Sequence, residues 1–275
     1  MILRSALVTG ATKGIGWSTA LLLDHLGWRV FAGYRSAANA DALRRHASAR
    51  LTPIQLDVTN DDDQASAAEA VGPSLDALIN NAGVVVTGPL EFIPPDQLDM
   101  QFAINVRGPV TLIQRLLPAL RTAQGRIVNV SSVNGRLAMP FSLPYAASKF
   151  ALEAVSDGLR VELRRWGIRT VLVEPGAIAT PLWDTSRERA VRTFSDLPAE
   201  ASQLYGGTFA ALARVRTPRR AIPPERVARI IVKALTARHP RARYVVGWDA
   251  RFGILSKALL PTWLLDLLMA RWRRT

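Results

Sequence analysis

The 275-residue sequence contains no cysteine. That excludes a disulfide framework and a thiolate metal site, and it fits a reducing, cytoplasmic compartment. No metal site of another kind is expected. Long apolar runs are missing too. No stretch of about eighteen uncharged apolar residues occurs, so no membrane-spanning helix is expected. The apolar part of the first ten residues is too short for a signal peptide and runs straight into a glycine motif. Acidic residues are scarce in one region. From Arg187 to Thr275, eighteen Lys/Arg face six Asp/Glu, so this third holds +12 of the net charge of +13. Such a segment suits an anionic membrane, nucleic acid or an acidic substrate, although a solvated surface explains it more simply. No nucleic-acid motif accompanies the charge, and no nucleic-acid partner is expected.

What is present is a core and an alternation. Hydrophobic residues make up 49% of the chain, enough for one large domain. Ile2–Thr9 reads as a buried parallel strand. T-G-A-T-K-G-I-G follows, with Gly10, Gly14 and Gly16, and Ile15–Leu26 continues with helical periodicity. Strand, glycine turn and helix are the context of a dinucleotide site. Glycines let the backbone approach a pyrophosphate, and the helix start offers free N–H groups and a positive dipole end. The spacing G-x-x-x-G-x-G departs from the commoner G-x-G-x-x-G. Trp28–Tyr34 is the second strand, and it ends in Arg35 with no carboxylate. An acidic residue there would bind a ribose diol, whereas an arginine accommodates a 2′-phosphate. Lys13 adds a second cation. NADP(H) is therefore expected in preference to NAD(H).

Helices are predicted over Ala37–Ala47, Asp61–Ala70, Asp96–Arg121, Tyr145–Trp166 and Pro223–Thr236. Strands are predicted over Leu51–Leu56, Leu75–Ile79, Arg126–Ser131 and Ile168–Val173, with Arg243–Gly247 as a seventh, edge strand. The pattern predicts an α/β Rossmann-type doubly wound parallel sheet of about seven strands, with helices on both faces, in a single domain over 1–275. Ligands in such sheets sit at the carboxyl ends of the strands, where the polar motifs fall. Asn105 lies inside the longest predicted helix despite its poor propensity, which points to a local reason such as a kink or a bound water.

Ser131–Lys149, read as S-S-V-N-G-R-L-A-M-P-F-S-L-P-Y-A-A-S-K, is the chemical centre of the chain. If Tyr145 sits early in a helix, Lys149 lies one turn on, on the same face. A free phenol titrates near ~10, and a neighbouring ammonium pulls it toward working range. The Ser132 hydroxyl can donate to or accept from an oxygen at a reacting carbon. The three side chains suit proton transfer in a carbonyl/alcohol pair. Y-x-x-x-K alone is a common accident on amphipathic helices.

In combination, T-G-A-T-K-G-I-G, Asp57-Val58, N-N-A-G at 80–83, Asn105, Ser132, Y-A-A-S-K at 145–149 and Pro175-Gly176 resemble the short-chain dehydrogenase/reductase family in its common single-domain form, over Leu3 to about Thr180. The resemblance implies catalytic roles for Ser132, Tyr145, Lys149 and Asn105. Ser132 would hold the substrate oxygen and Tyr145 would transfer the proton. Lys149 would bind the nicotinamide ribose and lower the Tyr145 pKa, and Asn105 would hold a water linking Lys149 to solvent. It implies cofactor contacts from Gly10, Thr12, Lys13, Gly14, Ile15, Gly16, Arg35, Asp57, Val58, Asn81, Ala82, Gly83, Tyr145, Lys149, Pro175, Gly176, Ile178 and Thr180. Asp57 would meet the adenine, Asn80 would steady the sheet, and Pro175, Gly176 and Thr180 would flank the nicotinamide. Ser132, Met139 and Tyr145 would touch substrate.

Ala177–Pro218 reads as a substrate loop that closes over the pocket. Its Leu182, Trp183, Phe194, Leu204, Tyr205 and Phe209, with Val133, Leu137, Met139 and Phe141, either line an apolar pocket or anchor the loop. The tail 252–275 is apolar with a basic end and is split by Pro261 into two short helices. It packs on its own domain, forms a subunit contact, or lies on an anionic membrane with Trp272 and the arginines at the interface. With A-R-Y-V-V-G-W-D-A at 242–250, it resembles family members acting on steroids, retinoids and other lipophilic alcohols or ketones. The expected function is NADP(H)-preferring interconversion of a lipophilic ketone or aldehyde with its alcohol, by a cytoplasmic homodimer or homotetramer, with packing on its own domain or a subunit contact favoured for the tail over a peripheral membrane contact. Two alternatives are a 3-oxoacyl thioester reductase docking an acidic carrier protein, and a dinucleotide-binding sensor or scaffold.

Overall fold

The four residues Ser5–Val8 are all buried, as a strand covered on both faces must be. They form β1 in the computed structural model, which describes residues 3–271. Arg29–Tyr34 (β2), Leu51–Gln55 (β3), Ala77–Asn80 (β4), Arg126–Val130 (β5), Arg169–Pro175 (β6) and Arg243–Val246 (β7) follow. All pair in parallel, in the order β3-β2-β1-β4-β5-β6-β7. The order reverses between β1 and β4, and that switch point opens a crevice at the carboxyl ends of the strands.

Register sorts the core into two layers. Leu7 lies opposite Phe31 and Leu78, and Leu78 opposite Ile127. These side chains share one face with Ala67 and Val71 of Asp61–Val71 (α3) and Leu112, Ile113, Leu116 and Leu120 of Gly108–Ala123 (α5). Ala6, Val8, Val30, Ala32 and Ile79 point the other way. They meet Ala20 and Leu23 of Gly14–His25 (α1) and Val227, Ile231, Ala234 and Leu235 of Pro224–Thr236 (α9). Ala37–His46 (α2) adds Leu43 to that layer. Local signals agree with the layers. Asn60 caps α3 by accepting from the Asp63 N–H at 2.9 Å, and three aspartates occupy its first turn.

The structure departs from the sequence reading in three places. The single helix expected over Asp96–Arg121 is interrupted. Pro95–Phe102 (α4) passes into a π-helical turn at Ala103–Arg107 before α5 begins, and Asn105 sits in that turn. The catalytic helix starts at Leu143 rather than Tyr145 and runs to Glu162 (α6), with a 3₁₀ turn at Leu163–Trp166. Proline suits a first helical turn because its missing N–H has no partner to lose, which lets Pro144 lead the helix. The presumed loop Ala177–Pro218 is mostly two helices, Leu182–Ser195 (α7) and Ala199–Ala213 (α8).

The tail folds as Trp248–Leu259 (α10) and Thr262–Arg271 (α11), divided at Pro261 as expected but starting earlier than 252. Trp272 and the last arginines lie outside the described residues. Among the described residues no helix is long and apolar enough to cross a membrane.

Candidate active site

β1 ends in Thr9-Gly10, and the chain turns through positive φ at Gly10 (62°) and Gly14 (53°) before entering α1. A Cβ on Gly16 would strike the Gly10 carbonyl and the Asn81 amide, so only glycine fits this approach of helix to strand. Lys13 holds the N-cap, and among the described residues its side chain gives the helix no cap bond. The first N–H groups of α1 and its dipole therefore remain available to a phosphate. Asn81 braces the turn by donating from Nδ2 to the carbonyls of Thr9 (2.9 Å) and Gly10 (3.1 Å). The backbone N–H groups of Asn81 and Ala82 both donate to Thr9 Oγ1 at 2.9 Å. These features fit a dinucleotide pyrophosphate. Thr9 is a positioning residue that sequence reasoning missed, although it opens the quoted motif.

The remaining cofactor candidates ring the same crevice. Thr12 and Ile15 lie in the turn and the first turn of α1, and Lys13 and Arg35 are exposed at its rim. Asp57 Oδ1 accepts from Thr59 N (2.9 Å) and Oγ1 (2.7 Å). Val58 is buried beside Gly108. Gly83 lies where a Cβ would be 3.4 Å from Asn105 Oδ1 and 3.9 Å from Lys149 Nζ. Ile178 pairs with Ile222, and Thr180 closes against Gly14. The backbone after β6 is held by a residue outside the sequence prediction. Asp249, in the first turn of α10, accepts from the Ala177 N–H at 2.7 Å, and its carboxylate leaves no room for a side chain at Gly176, next to Pro175.

Ser132 follows β5, and its Oγ accepts from the Asn134 N–H at 3.1 Å. Tyr145 and Lys149 stand one turn apart on α6, and Ser132 stands after β5 on the side from which it pulls the Tyr145 pKa down. Lys149 is buried. Its Nζ donates to the Val130 carbonyl at 2.8 Å and lies 5.8 Å from the Tyr145 ring centroid. Burial draws Lys149 down to about 8, against the attraction of Glu153. Burial pushes Tyr145 above the usual phenol range, outweighing the pull of Ser132. Burial thus sets the direction for Tyr145 in this structure, opposite to the lowering the sequence predicts.

The π-helical turn has its reason in Asn105. Its Oδ1 accepts from the Val84 N–H (2.9 Å), and its Nδ2 donates to the Val84 carbonyl (3.0 Å) and Ser148 Oγ (3.1 Å). Ser148 donates in turn to the Tyr145 carbonyl at 2.7 Å. Gln101, fully buried on α4, binds Val86 N and Val84 O in the same manner. A π turn turns one extra residue inward, a device common at functional sites. Gln101 and Ser148 were not predicted, and no spacing in the sequence marks them. Asn80 steadies the sheet as expected, donating to Asn129 Oδ1 at 2.8 Å.

Aromatic side chains join α7 and α8 to each other and to the segments before α4 and α6. Phe194 and Phe209 stack at 4.2 Å and join α7 to α8. Trp183 Nε1 donates to the Ile178 carbonyl at 2.7 Å. These three anchor the segment. Tyr205 instead meets Phe92 and Phe141 edge-on, and its hydroxyl donates to Glu91 Oε2 at 2.9 Å. Phe141 has φ of 60°, a strained conformation for a bulky residue, four positions before Tyr145. Met139 is half-buried in the same segment, whereas Leu182 and Leu204 point to solvent.

A family model described as short chain dehydrogenase matches residues 4–190. Human "Retinol dehydrogenase 5" is 38% identical over 95% of this chain and 86% of its own length. Bovine "17-beta-hydroxysteroid dehydrogenase type 6" is 36% identical over 98% and 88%. Among solved structures, a short chain dehydrogenase from Burkholderia cenocepacia in complex with NADP superposes with a TM-score of 0.75 at 26% identity, over 98% of this chain and 97% of that one.

Proposed function

The chain belongs to the short-chain dehydrogenase/reductase family of NAD(P)-dependent oxidoreductases acting on CH–OH groups, and from that premise we propose an NADP(H)-preferring enzyme that interconverts a lipophilic ketone or aldehyde with its alcohol. The observation that carries the reading is the pairing on α6 of Tyr145 with the buried Lys149, whose Nζ lies 5.8 Å from the Tyr145 ring centroid and donates to the Val130 carbonyl at the end of β5, next to Ser132. When bound, the cofactor supplies or accepts the hydride. The chain's own residues do the rest. Gly10, Gly14 and Gly16 admit the pyrophosphate to the α1 N-terminus. Arg35 and Lys13 meet a 2′-phosphate, which is the basis for preferring NADP(H). Ser132 and Tyr145 converge on the substrate oxygen. In reduction Tyr145 gives its proton to that oxygen, and in oxidation it removes one. Lys149, drawn to about 8, stays largely cationic at neutral pH and stabilises the phenolate that reduction leaves. Tyr205, packed edge-on against Phe92 and Phe141, with Met139 in the same segment, supplies the apolar side of the site for a lipophilic substrate. The retinol and steroid dehydrogenases among its relatives support that substrate class.

The test is a panel of steroids, retinoids, medium-chain ketones, sugars and 3-oxoacyl thioesters, followed by nicotinamide absorbance with both cofactors. Turnover of a lipophilic carbonyl with NADPH is expected. Turnover confined to carrier-bound acyl groups would transfer the reading to a thioester reductase. NADPH binding without turnover of any substrate would overturn it in favour of a sensor.

The tail extends the reading. Leu259 is 72% exposed and Trp263 68%, and Trp248, Phe252 and Leu255 are also exposed. α10 docks by its other side, through Lys257, which donates to the Arg136 carbonyl at 2.6 Å and lies over Phe150 at 4.8 Å. Packing on its own domain is thus only part of the tail's role. We assign the free side to an anionic membrane surface, which the +12 charge of the C-terminal third complements. Flotation with vesicles of anionic lipid should carry the protein, and flotation that is equal with neutral vesicles would contradict the assignment. The homodimer or homotetramer expected of the family is read by light scattering in the same preparation.

A further inference from the structure

Asp249 stands in the first turn of α10, where a carboxylate ordinarily serves its own helix by facing the positive end of the dipole. Its Oδ2 also reaches across the fold. It accepts from the Ala177 N–H at 2.7 Å, a residue 72 positions earlier. The backbone makes room for this carboxylate twice. A side chain at Gly176 or at Gly247 would strike it, and Gly247 has φ of 117°, a region that favours glycine.

The elements that deliver Asp249 are themselves fixed. At the end of β7 the Val246 carbonyl accepts from the Gly176 N–H at 2.8 Å. At its start Arg243 donates from Nε to Oε2 of the buried Glu153 at 3.2 Å. The same Nε lies 3.1 Å from Oε1 of the buried Glu174, which also has Arg136 Nη1 at 3.7 Å. Further along α10, a Cβ on Gly253 would meet Leu137 Cδ2 at 3.4 Å, and Lys257 holds the Arg136 carbonyl. The helix thus bears on both segments that leave the carboxyl ends of β5 and β6, the one after Ser132 and the one after Pro175.

The segment that Asp249 grips, 176–180, runs to the glycine turn. A Cβ on Gly14 would lie 2.9 Å from Thr180 Cγ2. Backbone bonds hold its middle, from the Ala179 N–H to the Ile222 carbonyl (2.8 Å) and from the Ile222 N–H to the Ala177 carbonyl (2.9 Å). The Trp183 indole donates to the Ile178 carbonyl. Its start depends on Asp249, because an enclosed N–H that loses its acceptor favours any shift of the chain that lets it find another.

We propose that Asp249 is a positioning residue for the cofactor, holding 176–180 at the carboxyl edge of the sheet so that this segment meets the nicotinamide half while the glycine turn meets the pyrophosphate. This rests on the reading of the crevice as an NADP(H) site. Asp249 acts through the backbone of Gly176 and Ala177, so its loss should divide the two halves of the cofactor.

Calorimetry on full-length protein tests this with two probes, NADPH and adenosine 2′,5′-bisphosphate, which carries the adenine half and lacks the nicotinamide. In Asp249→Ala the affinity for NADPH should fall about tenfold, the cost of one enclosed N–H left without an acceptor. Affinity for the bisphosphate should not change. Asp249→Asn should recover most of the loss, since its amide oxygen accepts the same N–H. Equal loss of both probes would reduce Asp249 to general support of the fold, and unchanged NADPH affinity would remove its role altogether; either overturns the proposal. If Asp249→Ala does not fold, Asp249→Ser, too short to reach Ala177, takes its place, and failure of both to fold also overturns it. A wild type that binds NADH but not NADPH rejects the NADP(H) reading alone, and the same contrast between NADH and ADP then decides the proposal. The contrast in a protein that turns over no substrate would uphold Asp249 and reject the functional reading instead.

Discussion

Lys149, Asn105 and Asn81 each make hydrogen bonds of 2.8–3.1 Å to backbone groups distant in sequence, whereas Phe252, Leu259 and Trp263 on the two C-terminal helices turn large apolar surfaces to solvent. The first region spends its polar groups on one another and holds a few atoms in fixed places. That is what a reacting site needs, because reorganisation during the reaction is costly. Among the described residues the second region leaves its apolar surface uncovered, and exposed patches of this kind mark an interaction surface. Asp249 links the two, since α10 begins with the carboxylate that fixes the loop after β6. The same chain thus carries a crevice whose polar groups are paired internally and a surface whose large apolar groups face solvent.

Four changes separate the regions, and the largest effect belongs to Tyr145→Phe. It should lower kcat by about a thousandfold, within the range of general acid–base catalysis, and leave NADPH affinity unchanged. Residual activity within tenfold of wild type would remove Tyr145 as the proton donor. A fall in cofactor affinity as well would mean that the ring builds the crevice.

Glu174→Gln tests the cost of the buried network. Burial, with a further push from Glu153 and against the pull of Arg136 and Arg243, raises Glu174 to about 7. Between the unfolded value and 7 the native state binds more protons than the unfolded state. Stability contributed by the protonated acid is therefore present at low pH and lost as pH rises through 7. The variant has no such loss. Its stability relative to wild type should improve from pH 5 to pH 8 by up to about 3 kcal/mol, read as urea midpoints. A relative stability that falls as pH rises would show that the ion pairs with Arg243 and Arg136 outweigh burial.

Arg35→Asp probes the rim of the crevice, which is exposed and so weaker in its demands. It should weaken NADPH and favour NADH relative to it by roughly ten- to a hundredfold, about what one or two charge-assisted hydrogen bonds supply. Unchanged preference would sink the 2′-phosphate reading.

These contrasts also explain what the sequence could tell. The alternation of apolar runs and periodic segments, with glycines at 10, 14 and 16, is local, and all seven strands fall within a few residues of expectation. Ser132, Tyr145 and Lys149 were singled out by the combination of motifs that resembles the family, since helix spacing puts two of them on one face but is too common to mark a site. Gln101, Ser148 and Asp249 were not, because their partners Val84, Asn105 and Ala177 are set by how the elements dock. The π turn at Asn105 was seen only as a weak helix former, since an inserted residue has no signature in propensity. The segment after Thr180 was read as loop because its arginines and short apolar groups show little period. Stacking of Phe194 on Phe209, across a turn, gives those helices something to bury.

The smallest effect should come from Trp263→Ser. A solvent-facing tryptophan whose burial is slight contributes little to folding, so the change should move stability by less than about 0.5 kcal/mol. NADPH affinity should not change either, because the link from tail to crevice runs through Asp249 on α10, one helix earlier. Binding to anionic vesicles, in contrast, should fall severalfold, since indole is a strong anchor at a membrane interface. The three measurements together sharpen the contrast, because a residue that matters only when a membrane is present belongs to the outward-facing region. A loss of thermal stability in solution would instead mean that Trp263 is covered there, by a second copy of the chain. The midpoint would then depend on protein concentration, as it does for any fold completed by association.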